Sequence, residues 1–302
     1  MTDRMPAVSL VATPGRRSWA TEIATEIEER GFSGIHCPSL GDAVGLCHGI
    51  AAATETIRFA TSVQPIYLQH AVALAGSAAF LHEVSGGRFR LGVGVTHGPV
   101  IQRLGVTTGS PLSDMREYVG GLRAAGEQLG ELPPIDLATL RDRMVGLAVE
   151  IVDGAVWANA SRSRMAHSLS LVPGSTAADG FAIGNMIPTV IDDDLDAARA
   201  RNRATLTGYV ALPNYRNYWA DAGYAEEMAA AEAAISSRDD AALAAAMTDE
   251  WLDDCTLSGP VERVREGVEA WFDAGVTTPI VVPSSTSGGQ RAALVELFDA
   301  YA

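Results

Sequence analysis

The alternation of the chain predicts a (β/α)8 barrel, a TIM barrel, with a helical insertion before the last strand. Short apolar runs alternate with longer helical stretches from end to end. The strand candidates are apolar on both faces, as parallel strands covered by helices are. Roughly eight β-α units in 302 residues fit a fold that takes ~250 residues plus insertions. A doubly wound open sheet is the competing arrangement. It asks for a glycine-rich first β-α turn, and the first turn here reads Thr13-Pro14-Gly15-Arg16-Arg17. The whole chain, 1–302, reads as one domain.

The elements follow in order. Val8 to Ala12 is the first strand, and Ser18 to Arg30 a helix with Ile23 and Ile27 on one face, ended by Gly31. Gly34 to Cys37 is the second strand, followed by a helix that Asp42 caps and that runs to Thr54. Ile57 to Val63 is the third strand. The helix His70 to Val84 stops at Ser85-Gly86-Gly87, and Arg88 to Val95 is the fourth strand. Pro111 to Leu129 is helical, Ile135 to Ala138 a fifth strand and Arg141 to Val152 a helix. Ala155 to Ala158 and Phe181 to Ile187 are the sixth and seventh strands. Thr278 to Val282 is the last, before a closing helix from Gln290 to Ala302. The acidic, alanine-rich stretch Asp192 to Asp254 has helical spacing and no strand, and is the insertion: a lid, an oligomer interface or a solvated helical segment.

Composition narrows the functions. Net charge is −15, so phosphate backbones and anionic membrane surfaces are repelled, and neither nucleic acid nor membrane is an expected partner. All 22 basic residues are arginine. The lack of lysine excludes Schiff-base chemistry and the P-loop. Cys37, Cys47 and Cys255 form no close pair, which argues against a disulfide frame and for a reducing cytoplasm. Met1 to Ala12 has no signal-peptide pattern, and no apolar run reaches the ~18 residues of a membrane span.

In such barrels chemistry sits at the C-terminal ends of the strands. The polar residues there are Thr13, Ser39, Ser62, Gln64, Tyr67, His70, Thr96, His97, Asn159, Ser161, Asn185 and Ser284 to Ser287. No strand end gathers the His, Asp and Glu residues of a metal cage, so no metal is expected. No GxSxG nucleophile elbow occurs. Asp136 and Asp153 lie near strands without forming a glycosidase pair. A mouth of hydroxyls, amides, glycines and a histidine suits the positioning of an organic cofactor.

The stretch IRFATSVQPIYLQHAVALAGSAAFLHEVSGGRFRLGVGVTH, from Ile57 to His97, resembles the luciferase-like monooxygenase family. Its most specific block is Ser85-Gly86-Gly87-Arg88-Phe89 followed by Leu91-Gly92-Val93-Gly94. Met115 to Arg123, Val149 to Asn159 and the segment from Gly259 to Val281 extend the likeness over most of the chain. Ala60 to Val63 and Val95-Thr96-His97 are most similar to the branch that uses coenzyme F-420, a deazaflavin hydride carrier.

The resemblance implies a barrel enzyme, an F-420-dependent oxidoreductase acting on a small, largely apolar organic substrate, and a homodimer. It puts a non-prolyl cis peptide or bulge at Ser62-Val63, behind the cofactor ring. Gly94, Val95 and Thr96 would approach the ring, and His97 would be the acid or base. The cofactor phosphate falls at Ala138, Thr139, Leu140 and Arg141, where the family's glycines are replaced and Arg141 offers a guanidinium fork. Sugar-phosphate-oxidising relatives carry an Asp-His pair after strand two and use lysine. This chain has Ser39-Leu40 and no lysine, so a sugar phosphate is not expected. Two alternatives stay open: an FMN-dependent monooxygenase, and a non-catalytic barrel that has lost its cofactor.

Overall fold

The computed structural model describes residues 4–39 and 41–302. The fold is the expected (β/α)8 barrel, with parallel strands in consecutive order. The chain divides into two compact units. The first comprises Met5–Trp157 and Leu171–Gly184; the second comprises Ala158–Ser170 and Asn185–Ala302, with Arg4.

The first unit holds β1 (Ala7–Ser9), β2 (Ile35–Cys37), β3 (Phe59–Thr61), β4 (Gln64–Pro65), β5 (Phe89–Gly94), β6 (Ile135–Ala138) and all but the last residue of β7 (Gly154–Ala158). β1, β2, β3, β5, β6 and β7 pair in that order, all parallel. Helices fill the crossovers for readable reasons. In Arg17–Glu29 the buried residues are Ala20, Ile23, Ala24 and Ile27, one stripe at helical spacing. The Asp42 carboxylate accepts from Gly45 N–H at 2.8 Å and starts Ala43–Ala53, as its sequence position requires. Ser110 caps Pro111–Leu129, which buries Met115, Val119 and Leu122.

Two side chains tie the crossovers down. Arg88, in the turn before β5, donates to Ser85 O, Ala51 O, Thr54 O, Thr54 Oγ1 and Ile57 O at 2.8–3.1 Å, closing the carbonyl end of the helix Ala43–Ala53. Its guanidinium lies 5.3 Å from the Phe59 ring centre. Gly86 and Gly87, with φ of +62° and +81°, make the turn that aims it. Glu28 receives the backbone N–H groups of Glu55, Thr56 and Ile57 and the Thr56 hydroxyl. Desolvation opposes its charge, but these donors outweigh it and hold its pKa down at about 2.

In the second unit, β9 (Leu257–Gly259) pairs with the end of β8 (Ala182–Ile191), and β10 (Thr278–Ser284) also pairs with β8. The expected insertion is five helices between Leu195 and Cys255. It is more than a solvated segment, because Tyr215, Tyr218, Trp219 and Trp251 are buried. Trp219 and Trp251 meet edge to face at 4.9 Å.

Several boundaries differ from the sequence reading. The expected third strand, Ile57 to Val63, is broken: β3 stops at Thr61, and β4 restarts at Gln64 beside the end of β5. The first strand is Ala7–Ser9 rather than Val8 to Ala12, and β8 runs on to Ile191. β9 is an addition to the expected strands, since Leu-Ser-Gly carries no strand pattern. The helix Gly98–Leu104, which buries none of its residues, is an addition as well.

Candidate active site

Three neighbouring strand ends of the first unit converge. At the first, Thr61 Oγ1 donates to Gly92 O and Ser62 N–H donates to Cys37 O, both at 2.7 Å. The Ser62-Val63 peptide is cis, where the resemblance implied a cis peptide or a bulge. At the second, a Cβ placed on Gly94 would stand 2.6 Å from Ala138 Cβ and 2.7 Å from Val63 Cγ2. Val63, Gly94 and Ala138 are therefore packed against one another. Gly94 is thus a glycine because protein packs on both sides of it, and not for the approach of a ring alone. Val95 and Thr96, both half-buried, lead out of the strand.

His97 is the N-cap residue of the helix Gly98–Leu104, with extended backbone and no side-chain capping bond. It is half-buried, and this desolvation lowers its imidazole pKa. The neutral ring, which carries a lone pair able to accept a proton, is the form at neutral pH.

At the third end, the residues expected to meet the phosphate separate by burial. Thr139 N–H donates to Val156 O at 2.9 Å, while the Thr139 hydroxyl is buried with no protein partner. Arg141 is exposed and stands at the N-cap of the helix Asp142–Ile151, followed by an aspartate in its first turn. Leu140 is half-buried between them. An unpartnered buried hydroxyl is the stronger sign of a ligand contact, so Thr139 gains weight relative to Arg141.

One participant carries no sequence motif. His36, on β2, brings Nδ1 to 2.7 Å from Ser62 Oγ. Desolvation, then the charge of Arg90, lowers its pKa to about 4. The only signal is a histidine inside the apolar run Gly34 to Cys37; its partner is 26 residues away.

Several of the remaining candidates are engaged within the protein, although the Nδ2 groups of Asn159 and Asn185 are buried without a hydrogen-bond partner. His70 Nδ1 accepts from Val72 N–H and caps its helix. Tyr67 OH donates to Asp114 at 2.6 Å. Asp136 is paired with Arg90, whose Nε donates at 2.9 Å, and Asp153 accepts from Ile135 N–H. Ser39 is exposed, and Leu40 lies outside the described residues. In the second unit, Asn159 has φ of +58° and its carbonyl accepts from Trp219 Nε1. Asn185 Oδ1 accepts from Ala160 N–H, Ser161 Oγ lies 3.4 Å from Cys255 Sγ, and Ser285 Oγ donates to Glu296. Among the described residues no group of three or more His, Cys, Asp or Glu is arranged to hold a metal ion, and no helix is long and apolar enough to cross a membrane.

Comparison with known proteins adds a family. A family model described as luciferase-like monooxygenase matches residues 7–278. A 5,10-methylenetetrahydromethanopterin reductase of Archaeoglobus fulgidus is 27% identical over 278 residues, covering 82% of this chain and 82% of that protein. The solved structure of a coenzyme F-420-dependent tetrahydromethanopterin reductase from Methanopyrus kandleri superposes with a TM-score of 0.78 at 14% identity, covering 99% of this chain and 98% of that one. An F-420-dependent secondary alcohol dehydrogenase, solved with an F-420-acetone adduct, follows at a TM-score of 0.72 and 14% identity, with 98% of each chain covered. At such identities these structures speak for the fold.

Proposed function

Because this chain belongs to the luciferase-like monooxygenase family, we propose that it is a coenzyme F-420-dependent oxidoreductase moving a hydride between the deazaflavin and a small, largely apolar organic substrate. The observation that carries this reading is the convergence of Val63, Gly94 and Ala138, with the buried and unpartnered Thr139 hydroxyl beside them in sequence. An orphaned hydroxyl beyond a wall of small apolar groups fits a flat, largely apolar ring that carries polar edges. The residues for such contacts are Ser62 and Val63, Gly94 to Thr96, and Ala138 to Arg141.

When bound, the deazaflavin supplies the hydride donor or acceptor. The protein's part is to orient and to manage a proton. Ser62 offers a hydroxyl held by His36. Val63 and Ala138 offer apolar contact, and Thr139 a hydroxyl without a competing protein partner. Arg141 supplies the local positive charge that an anionic ligand needs against a net charge of −15. His97, neutral at pH 7, takes a proton at its unprotonated ring nitrogen when the substrate is oxidised. In the reverse direction it returns that proton.

A homodimer working in the cytoplasm belongs to the same reading. Its support is the outer side of the helix Ala71–Val84, where Val72, Phe80 and Val84 are 50%, 56% and 51% exposed. Sedimentation velocity at micromolar concentration should give a dimer.

The deciding experiment is a fluorescence titration of purified protein with oxidised F-420, reduced F-420 and FMN. Saturable binding of F-420, weaker for FMN, is expected. A preference for FMN would favour the monooxygenase alternative, and binding of neither would leave a non-catalytic barrel. Arg141→Ala should weaken F-420 binding by about tenfold, the size of one exposed charge-assisted contact.

A further inference from the structure

His36 lies outside every motif of the sequence. Register pairs it with Ala60, so its side chain shares a sheet face with the residue two positions before Ser62. His36 Nδ1 then reaches Ser62 Oγ at 2.7 Å. Both residues are buried, at 8% and 6% exposure. Ser62 N–H is already committed to Cys37 O, the residue following His36. A backbone bond and a side-chain bond thus hold Ser62 to one short stretch of β2.

The imidazole is neutral at pH 7, since burial and the neighbouring Arg90 both disfavour its cation. Arg90 is itself engaged by Asp136. A neutral imidazole has one N–H and one lone pair. When Nδ1 accepts, the Ser62 oxygen keeps its lone pairs for a ligand donor. When Nδ1 carries the proton, the Ser62 O–H is left to donate. In either tautomer the bond holds the Ser62 side chain in one rotamer, and when Nδ1 accepts it also leaves the oxygen to act only as an acceptor. A serine without that bond samples three staggered rotamers.

Resting on the cofactor reading above, we propose that His36 is a positioning residue of this site, which presets the Ser62 hydroxyl for the polar edge of the deazaflavin ring. Its contribution is preorganisation: the cost of orienting the hydroxyl is met on folding rather than on binding.

The test is a double-mutant cycle on F-420 affinity, read by fluorescence, with thermal melts run alongside. His36→Gln moves the amide to where Nε2 stood and empties the Nδ1 position. His36→Asn keeps a polar group near Nδ1. His36→Gln should weaken F-420 binding about tenfold, and His36→Asn no more than about twofold. In a Ser62→Ala background, His36→Gln should change affinity little, because the hydroxyl it presets is gone. If His36→Gln does not fold, His36→Leu takes its place in the cycle. Equal losses from Gln and Asn, or the same loss in both backgrounds, would mean a merely structural histidine and would overturn the proposal. Wild-type protein that binds neither F-420 nor FMN would overturn the cofactor reading and this inference with it. Wild-type binding with an unaffected His36→Gln variant would overturn this inference alone.

Discussion

The two ends of β5 are built on opposite principles. Before its start, Ser85-Gly86-Gly87-Arg88 is saturated: one guanidinium makes five hydrogen bonds and closes a helix and a turn. After its end, Val95, Thr96 and His97 are each half-buried, and the helix that follows buries none of its residues. The saturated end is the block on which the family resemblance rests most, and the five bonds of Arg88 all go to protein oxygens. The exit end carries the groups proposed for chemistry. The strong motif here is scaffold, and the proposed site lies at the other end of the same strand.

Substitutions at the two ends should separate these roles. The largest effect is expected at the exit end. His97→Ala should lower turnover by ~10²–10⁴-fold while leaving F-420 affinity and Tm nearly unchanged, the signature of a lost proton-transfer group. Steady-state kinetics beside a fluorescence titration checks this, and wild-type turnover would return His97 to a loop role.

Next comes the saturated end. Arg88→Ala strips partners from several carbonyls and should cost about 2–4 kcal/mol in stability. Chemical denaturation measures it, and kcat of the fraction that remains folded should hold. A loss of kcat without a loss of stability would break the comparison.

Gly94→Ala tests the boundary between the two. The added methyl meets Ala138 and Val63, so overpacking of about 1–3 kcal/mol should appear in stability. It should appear in F-420 affinity as well, because the same wall faces the proposed ring.

The smallest effect is at Glu28, which holds the segment that Arg88 also grips. Its pKa is depressed when folded, so its stabilisation is present above the unfolded carboxylate value near 4.5 and is lost as pH falls through about 2. Glu28→Gln should therefore lower Tm at pH 7 and make no difference near pH 2. A deficit that persists in acid would mean that the amide fails for reasons other than charge.

Much of the fold is legible in the residues themselves: the Asp42 cap and the helix from Pro111 to Leu129 stand where the sequence indicates. The cis peptide at Ser62-Val63 stands where the family resemblance, and no local pattern, implied a cis peptide or bulge. Local appearance misleads elsewhere. Arg141 draws attention as a charge, yet it is exposed, while Thr139 two residues earlier carries the unpartnered buried hydroxyl. β9 escapes a reading by composition because a three-residue strand owes its existence to pairing with β8.

By itself the sequence determined the alternation of strands and helices, where helices start and stop, and which classes of chemistry the lysine-free, acidic chain excludes. These depend on periodicity and on contacts a few residues long. The tertiary structure alone decided which polar groups meet. His36 finds Ser62, Arg90 finds Asp136, and Gly94 lies between Val63 and Ala138. Those partners are tens of residues apart, and strand register chooses them. A shift of one residue would turn each side chain to the opposite face of the sheet, so no local pattern can specify them.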